Sequence, residues 1–429
     1  MKKISFLISC ITAVALQAQT SYTVDDLILQ AMQNAPDLEV SKQNIEAAKS
    51  RKRSAFGSYL PNVNFDAAAG KTGQSKLLDP DTMANDTFIL GKLSLSQLLY
   101  DFGKTGGNVD SLEYEKNAYS MQNAQKIADK IRDVKSAYYT VLRSHALIDV
   151  NKENLKLNEA QLYRAQKYFE AGIRTKIDVS DAKVGVINAK IELNKAEYAL
   201  KLAYANLDKI IGFEGLTNSY TVQTQKLELN DLYESLTPYD LELLEAIKFA
   251  YNHRAVLKEY RELTLQKEAQ LRVARSEYYP AFYLNADYTK QKLDEMAAFV
   301  PENKWQASVN LQWNLYKGGS SKAKTQEKKV QILISQAELK SIKLAIKEET
   351  TAAFINVAKS KDAVELSQSL LEVSKEKFDQ AQKRYEHGLS DYIELQEARQ
   401  GYIAAKASLV IDYYNYYNSI AILNHAIGR

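Results

Sequence analysis

Four acidic residues form two pairs of the same spacing, which could concentrate negative charge at the beginnings of two helices. Asp178 and Asp181 are three positions apart, as are Glu394 and Glu397, so each pair shares one face of a helix. Rings of such carboxylates at a narrow neck would select cations and repel one another. The alternative is a local role, because acidic residues in the first turns of a helix also complement its N-terminus, a contribution of about 0.3–1 kcal/mol.

Each acidic pair follows a short segment built around a glycine. The two segments contain Gly172, Ile173, Arg174 and Thr175 in the first case and Gly388, Leu389 and Ser390 in the second. The glycines suit the C-terminal caps of helices, which need a positive φ. Ile173 and Leu389 are apolar residues beside these caps with no evident partner in their own segment. We therefore predict that both segments contact another protein.

The remaining polar residues show no pattern of catalysis or metal binding. The four histidines are far apart without metal-ligand spacing, and no nucleophilic triad, phosphate loop or paired general acid and base is present. Cys10 is the only cysteine, which excludes internal disulfides and cysteine-based metal clusters. The formal net charge of +3 gives no reason to expect a nucleic-acid partner. We predict no enzyme activity, no cofactor and no bound metal.

Composition indicates long elements with few turns. The 429 residues include only 16 Gly and 6 Pro, well below the roughly 12% that these two contribute to average proteins. Hydrophobic residues make up 45%, enough for a large core. Beyond the N-terminus no window of 18 apolar residues occurs, so a bundle of membrane-spanning helices is excluded.

The N-terminus has the pattern of an export signal. Lys2 and Lys3 precede a mostly apolar run over 4–16, followed by small residues, so residues 1–18 are predicted to be a secretory signal peptide. The alternative is a lipobox ending in an acylated Cys10. We favour the signal peptide because the apolar run continues past the cysteine.

The rest of the chain is an internal duplication. AQKYFEAG at 165–172 matches AQKRYEHG at 381–388, and the same shift pairs several other positions, which predicts one repeat over 19–212, a second over 241–429 and a joining segment over 213–240. Neither Gly nor Pro occurs between Gly107 and Gly172 or between Gly319 and Gly388, and in each repeat apolar residues recur every seventh position, which predicts a left-handed antiparallel coiled coil. The hairpins are predicted over 108–212, with its tip near 172, and over 320–428, with its tip near 388. The first repeat should begin with short helices.

Each repeat also contains two segments of strand-like alternation, near 62–70 and 87–99 and near 281–291 and 304–315. Both tryptophans, Trp305 and Trp313, fall on the apolar face of the last segment, eight residues apart. That spacing is about 26 Å along a strand, which suits a lipid-facing band with aromatic girdles. A half-buried antiparallel sheet in a water-soluble protein is the alternative. In lipid, four strands cannot close alone, whereas three chains would supply twelve and leave room for a channel.

These parts, in this order, resemble the TolC-like outer membrane factors over essentially the whole mature chain. The resemblance is carried by Tyr59-Leu60-Pro61 and Tyr278-Tyr279-Pro280, by the Leu-Tyr-Asp-Phe-Gly and Leu-Tyr-Lys-Gly-Gly segments at 99–103 and 315–319, and by the tips at 168–182 and 384–398. It implies a mostly α chain with a transmembrane β-barrel: a homotrimer with a 12-stranded barrel in outer membrane lipid and an α-barrel in the periplasm. It also implies that acids at Asp178, Glu394 and Glu397 line a constriction, the last two with longer side chains than the aspartates usual in the family.

The resemblance further implies two protein partners, a periplasmic adaptor at the tips and an inner-membrane transporter of the RND, ABC or MFS type. The first functional hypothesis is therefore a passive exit duct of an efflux or type I secretion system, located in the outer membrane. The second is an exported coiled-coil adaptor or scaffold whose sheet is water-soluble. Drugs, metal ions and secreted polypeptides all stay open as cargo, because the transporter selects it.

Overall fold

The computed structural model describes residues 21–76, 79–215, 220–224, 227, 229, 231–293 and 302–429. The predicted signal peptide at 1–18, and with it Cys10, lies outside these residues. The helices are α1 (Val24–Asn34), α2 (Pro36–Phe56), α3 (Lys104–Glu170), α4 (Lys176–Ile211), α5 (Leu243–His253), α6 (Ala255–Ser276), α7 (Ser320–Glu386) and α8 (Tyr392–Ile427). The strands are β1 (Ser21–Tyr22), β2 (Asn62–Lys76), β3 (Asp79–Tyr100), β4 (Thr221–Val222), β5 (Ala281–Leu293) and β6 (Asn303–Gln312).

Two long helical hairpins dominate the chain, as the heptad spacing predicts. Helices α3 and α7 each have 67 residues, about 100 Å, and their return helices α4 and α8 each have 36. The heptad positions form the buried seams, for example Val141 with Leu207 and Val364 with Leu409. The equal lengths are what a duplicated unit predicts. Of the helices in the described part of the chain, none is both long and apolar enough to cross a membrane.

The helices lie side by side in an open layer. Near the sheet, the contacts run from α2 to α3 to α6 to α7, and toward the tips they run from α4 to α3 to α8 to α7. Each level therefore presents four neighbouring helices. The predicted joining segment adds Tyr220, Val222, Leu232 and Leu236 to the cores at mid-length, where β1 and β4 pair in parallel.

Helix α3 begins at Lys104, four residues before the expected start at 108, despite two glycines in its first turn. Gly107 is helical because α6 packs directly on it: a Cβ there would lie 2.9 Å from Val273 Cγ2 and 3.1 Å from the Ala269 carbonyl oxygen. The carboxylate of Asp101 accepts from the Thr105 amide at 2.7 Å and caps the helix. The sequence pattern suggests a break at these glycines, whereas the close packing of α6 requires a glycine at 107.

Four strands form one antiparallel sheet in the order β2-β3-β5-β6. Its register aligns the apolar sides of all strands: Trp305 pairs with Tyr288, Tyr288 with Leu93, and Leu93 with Phe65. The next row, on the opposite face, pairs Lys304 with Thr289, Thr289 with Lys92 and Lys92 with Asp66. The apolar face is bare, with Trp305 78% and Phe65 71% exposed. Nothing in the described chain covers either face as a core.

The strands differ in length from the alternation pattern. The first pair extends beyond 62–70 and 87–99, because the backbone ladder continues into a polar segment where alternation is lost. The last strand ends at Gln312, three residues before the expected end at 315. Trp313 leaves the ladder, and its indole N–H donates to the Tyr278 carbonyl at 3.2 Å. That contact ties the strand exit to the end of α6.

A buried arginine closes the C-terminal end of α8. The Arg254 guanidinium is 6% exposed and donates to both carboxylate oxygens of Glu349, at 3.0 and 2.9 Å. It also donates to the carbonyls of His425 and Ala426, which lie in the last turn of α8. The Ala426 carbonyl has no partner within the helix, whereas the His425 carbonyl also accepts from the Gly428 amide at 3.0 Å. The arginine donates to both while its own charge is neutralised.

Candidate functional site

The two hairpin tips turn in the same way. At the first, the amides of Gly172 and Ile173 donate to the carbonyls of Phe169 and Tyr168 at 3.0 and 2.8 Å. At the second, Gly388 and Leu389 make the equivalent bonds at 3.1 and 2.8 Å. Gly172 has φ +73 and Gly388 has φ +71, so both are the left-handed caps that end a helix in a Schellman turn. The predicted tips lie where the sequence placed them.

The return helices begin with different caps. At the first tip, Thr175 is the N-cap, and its amide and hydroxyl both donate to the Asp178 carboxylate at 2.9 and 2.8 Å. At the second tip, Asp391 is the N-cap and accepts from the Glu394 amide at 2.9 Å. Asp178 therefore takes part in capping α4. Its counterpart Glu394 does not cap α8, because the side chain of Asp391 does so.

The four acids predicted to line a constriction divide into two kinds. Asp178 is held by its capping bonds, and Glu394 lies 3.4 Å from the Arg384 Nε. Asp181 and Glu397 are exposed, and within the described residues their carboxylates have no hydrogen bond or ion pair. Asp178 therefore serves as a capping acid, while Asp181 and Glu397 are exposed acids without a partner in the described chain.

Arg174 joins the two tips. Its Nη2 donates to the Ser390 carbonyl at 3.2 Å, and its guanidinium carbon lies 4.8 Å from the ring centre of Tyr385. Tyr385 is almost fully buried, and this burial raises the pKa of its phenol, against the opposing effect of the Arg174 charge. The phenol therefore stays protonated at neutral pH. A second contact between the hairpins is the Arg164–Glu386 ion pair at 2.6 Å.

Ile173 and Leu389 remain bare at the extreme end of the hairpins, 67% and 70% exposed. The other predicted site residues, Trp305 and Trp313, belong to the sheet end of the chain, separated from the tips by the length of α7. The structure thus brings the predicted acids and tip residues together and places the tryptophans about 100 Å away.

Several residues beside the tips carry no signal in the heptad pattern. A Cβ at Gly185 would lie 2.7 Å from Asn158 Oδ1, 3.2 Å from the Tyr392 hydroxyl and 3.7 Å from Arg399 Nη2. Gly185 thus lets α4 approach α3 and α8 closely. An isolated glycine inside a helical pattern was the one available hint of such an approach. Arg399 is 4% exposed, and nothing in the sequence distinguishes it from a surface arginine.

Comparisons with known proteins agree with this geometry. The family model described as "Outer membrane efflux protein" matches residues 27–213 and 250–429. Protein CyaE of Bordetella pertussis is 21% identical over 398 residues, which cover 90% of this chain and 81% of CyaE. The toluene efflux pump outer membrane protein TtgC of Pseudomonas putida is 21% identical over 413 residues, covering 94% and 82%. Among solved structures, CusC aligns with a TM-score of 0.84 at 17% identity, over 96% of this chain and 93% of CusC.

The family match takes in both hairpins and both pairs of strands and leaves out mainly the segment that joins the two halves. The backbone likeness to CusC extends over nearly the whole of both chains, so the two share a fold. The predicted location in the outer membrane is confirmed, and the hypothesis of a scaffold without a membrane barrel is disfavoured. The chain belongs to the outer membrane efflux protein family.

Proposed function

We propose that three copies of this chain form the outer membrane channel of a tripartite efflux or type I secretion system, a passive duct gated at its helical tips. The observation that carries this proposal is the sheet: its apolar face is exposed, and within the described residues its outer strands β2 and β6 have no partner beyond β3 and β5. Each unsatisfied backbone group costs several kcal/mol in hydrocarbon. Closure by further copies removes these edges, and three copies supply twelve strands.

The helical layer supports the same closure. Its outer helix α4 carries exposed apolar residues seven apart, including Ile177, Val184, Ile191 and Tyr198. The other outer helix, α7, exposes Leu366 and Val373 at the same spacing. A seven-residue apolar repeat facing solvent is an unpartnered coiled-coil seam. Because the two edges differ, α4 of one copy would meet α7 of the next, the head-to-tail arrangement that closes a ring.

Charge on this outer seam should prevent assembly. We expect Val184→Glu combined with Ile191→Glu to abolish the trimer, because both side chains are exposed in the single chain and would be buried between copies. Electrophoresis of unheated outer membrane extracts measures the trimer, and Lys190→Glu, an exposed site on the same helix, is the control. Loss of trimer in the control too, or a wild-type protein that is monomeric without detergent, would contradict the proposal.

The free acids at the tips would set ion selectivity. In a ring of three chains, Asp181 and Glu397 contribute six carboxylates that are not engaged in capping or pairing within the chain. Asp178 and Glu394 are held by neighbours and would contribute less field to the lumen. We propose that the constriction predicted for these four residues depends mainly on the two that are free.

In planar bilayers, Asp181→Asn with Glu397→Gln is expected to reduce the preference for cations severalfold. Asp178→Asn with Glu394→Gln should have the smaller effect on the permeability ratio, although it weakens the cap of α4. Glu338→Gln, an exposed acid far from the tips, is the control. Equal permeability ratios in the wild type and the Asp181/Glu397 variant would remove these acids from the constriction.

Gating at the tips would require the two hairpins to separate. Arg174 joins them at the turns themselves, through the Ser390 carbonyl and the Tyr385 ring. Arg384 offers a matched comparison: it is a cation at the second tip, but its contacts with Glu394 and the Leu389 carbonyl stay inside one hairpin. We propose that Arg174 holds the tips in the arrangement seen here.

Arg174→Ala is therefore expected to raise single-channel conductance by a factor of about two or more, since a cation–π contact and a charged hydrogen bond together contribute about 2–4 kcal/mol. Arg384→Ala removes the same charge from the same end and should leave the conductance near that of wild type. An increase of equal size in both variants would assign the effect to lost charge rather than to the link between hairpins.

The exposed Ile173 and Leu389 would receive the adaptor. They lie at the end of each hairpin beside the caps, and apolar side chains at this exposure suit a protein contact. An inner-membrane transporter would drive transport through that adaptor, so the duct itself would need no catalytic group or cofactor. The name of TtgC refers to toluene. Because the transporter would select the cargo, we assign no cargo to this chain.

Cysteines at 173 and 389 are expected to crosslink to the adaptor in cells. No natural cysteine would compete with them, because the only one, Cys10, lies in the predicted signal peptide. Cysteine at the exposed position 202, far along α4 from the tips, should not form the adduct. Immunoblotting of the pump complex measures the adduct. Absence of crosslinks at both tip positions in a strain with working efflux would refute docking at the tips.

A further inference from the structure

Two arginines are buried in this chain, and their surroundings differ. Arg254 has a carboxylate and two carbonyl oxygens as acceptors. Arg399, on α8 near the second tip, is 4% exposed. Among the described residues, its guanidinium makes no hydrogen bond, ion pair or contact with an aromatic ring. The charge of Arg254 is neutralised within the chain, and the charge of Arg399 is not.

A guanidinium in this position needs an anion. Arginine stays protonated in proteins, so it cannot escape burial by losing its charge as a lysine or histidine would. Buried charges are paired or coordinated for this reason. Two other residues that line the same cavity, Arg164 and Gln382, both donate to the carboxylate of Glu386, at 2.6 and 2.9 Å. That carboxylate is therefore already engaged.

Arg399 lines a cavity of about 30 Å³ between α3, α7 and α8. Gln161 also lines it, is 4% exposed, and has an Nε2 with no hydrogen-bond partner among the described residues. Leu157, Phe378 and Leu395 supply apolar walls. Since about 10–15 Å³ suffices for one water, the cavity has room for one small ion. Its lining carries the Arg399 guanidinium, the Gln161 amide and the Arg164 guanidinium, which is paired with Glu386, and no acidic side chain.

We propose that this cavity is a binding site for one small monovalent anion, held by the Arg399 guanidinium and the Gln161 amide. Gln161 belongs to the first hairpin and Arg399 to the second, so the anion would join the hairpins from inside, below the Arg174 contact. The site requires only the fold of the single chain and does not depend on the channel function proposed above.

Thermal unfolding of the full-length protein in detergent tests the site. At equal ionic strength, sodium chloride or bromide should raise the midpoint by about 2 °C or more over sodium gluconate, whose anion is too large for the cavity. Arg399→Gln and Gln161→Leu should each remove most of this difference, whereas Arg53→Gln, an exposed site, should retain it. If Arg399→Gln fails to fold, Gln161→Leu decides alone. An equal difference in all variants would overturn the proposal.

A bromide-soaked crystal of the assembled protein identifies the occupant. An anomalous peak within about 3.5 Å of the Arg399 guanidinium is expected, at a distance typical of charge-assisted contacts. The same chemistry could come from a carboxylate of a neighbouring copy reaching into the cavity. A side chain in that position, or a cavity without an anomalous peak, would overturn the assignment of a free anion.

Discussion

The backbone of the outer strands imposes the strongest constraint on this molecule. In the described chain, β2 and β6 each pair on one side only, and the face that carries Phe65 and Trp305 has no cover. Water could satisfy such edges, but the location in the outer membrane removes water from them. The single folded chain therefore leaves the outer edges of its sheet unpaired. The open layer of four helices at each level likewise leaves its outer helices uncovered on one side. Sheet and helices would be completed together by the same neighbours.

The long hairpins and the sheet could be predicted from the sequence because they depend on periodicity. A heptad repeat fixes which side of α3 and α7 is buried, and a period of two fixes which side of β6 is apolar, so the hairpins and the sheet follow from counting positions. Features that depend on a single contact could not be predicted in this way. Gly107 was an expected break, and Trp313 an expected strand residue, because packing of α6 and a bond to the Tyr278 carbonyl cannot be counted from spacing.

At the candidate site, the residue positions and the glycine caps could be predicted, whereas which acids are engaged in capping or pairing could not. The tip glycines and acids lie where the repeat placed them, yet Asp178 serves a helix cap while Glu394 is released by Asp391. That difference arises from one substitution between the repeats, threonine at 175 against aspartate at 391. Arg174 and Tyr385 are brought together by the lateral packing of two hairpins, which depends on residues more than 200 positions apart.

The matched lengths of α3 and α7 have a consequence for how such a protein can change. Inserting one heptad into a single hairpin would displace its end by about 10 Å, which is enough to carry Arg174 away from Ser390. An insertion or deletion must then occur in both hairpins, and in both helices of each hairpin, at the same time. The reach of the duct across the periplasm can accordingly change only in coordinated steps, and its partners must change with it.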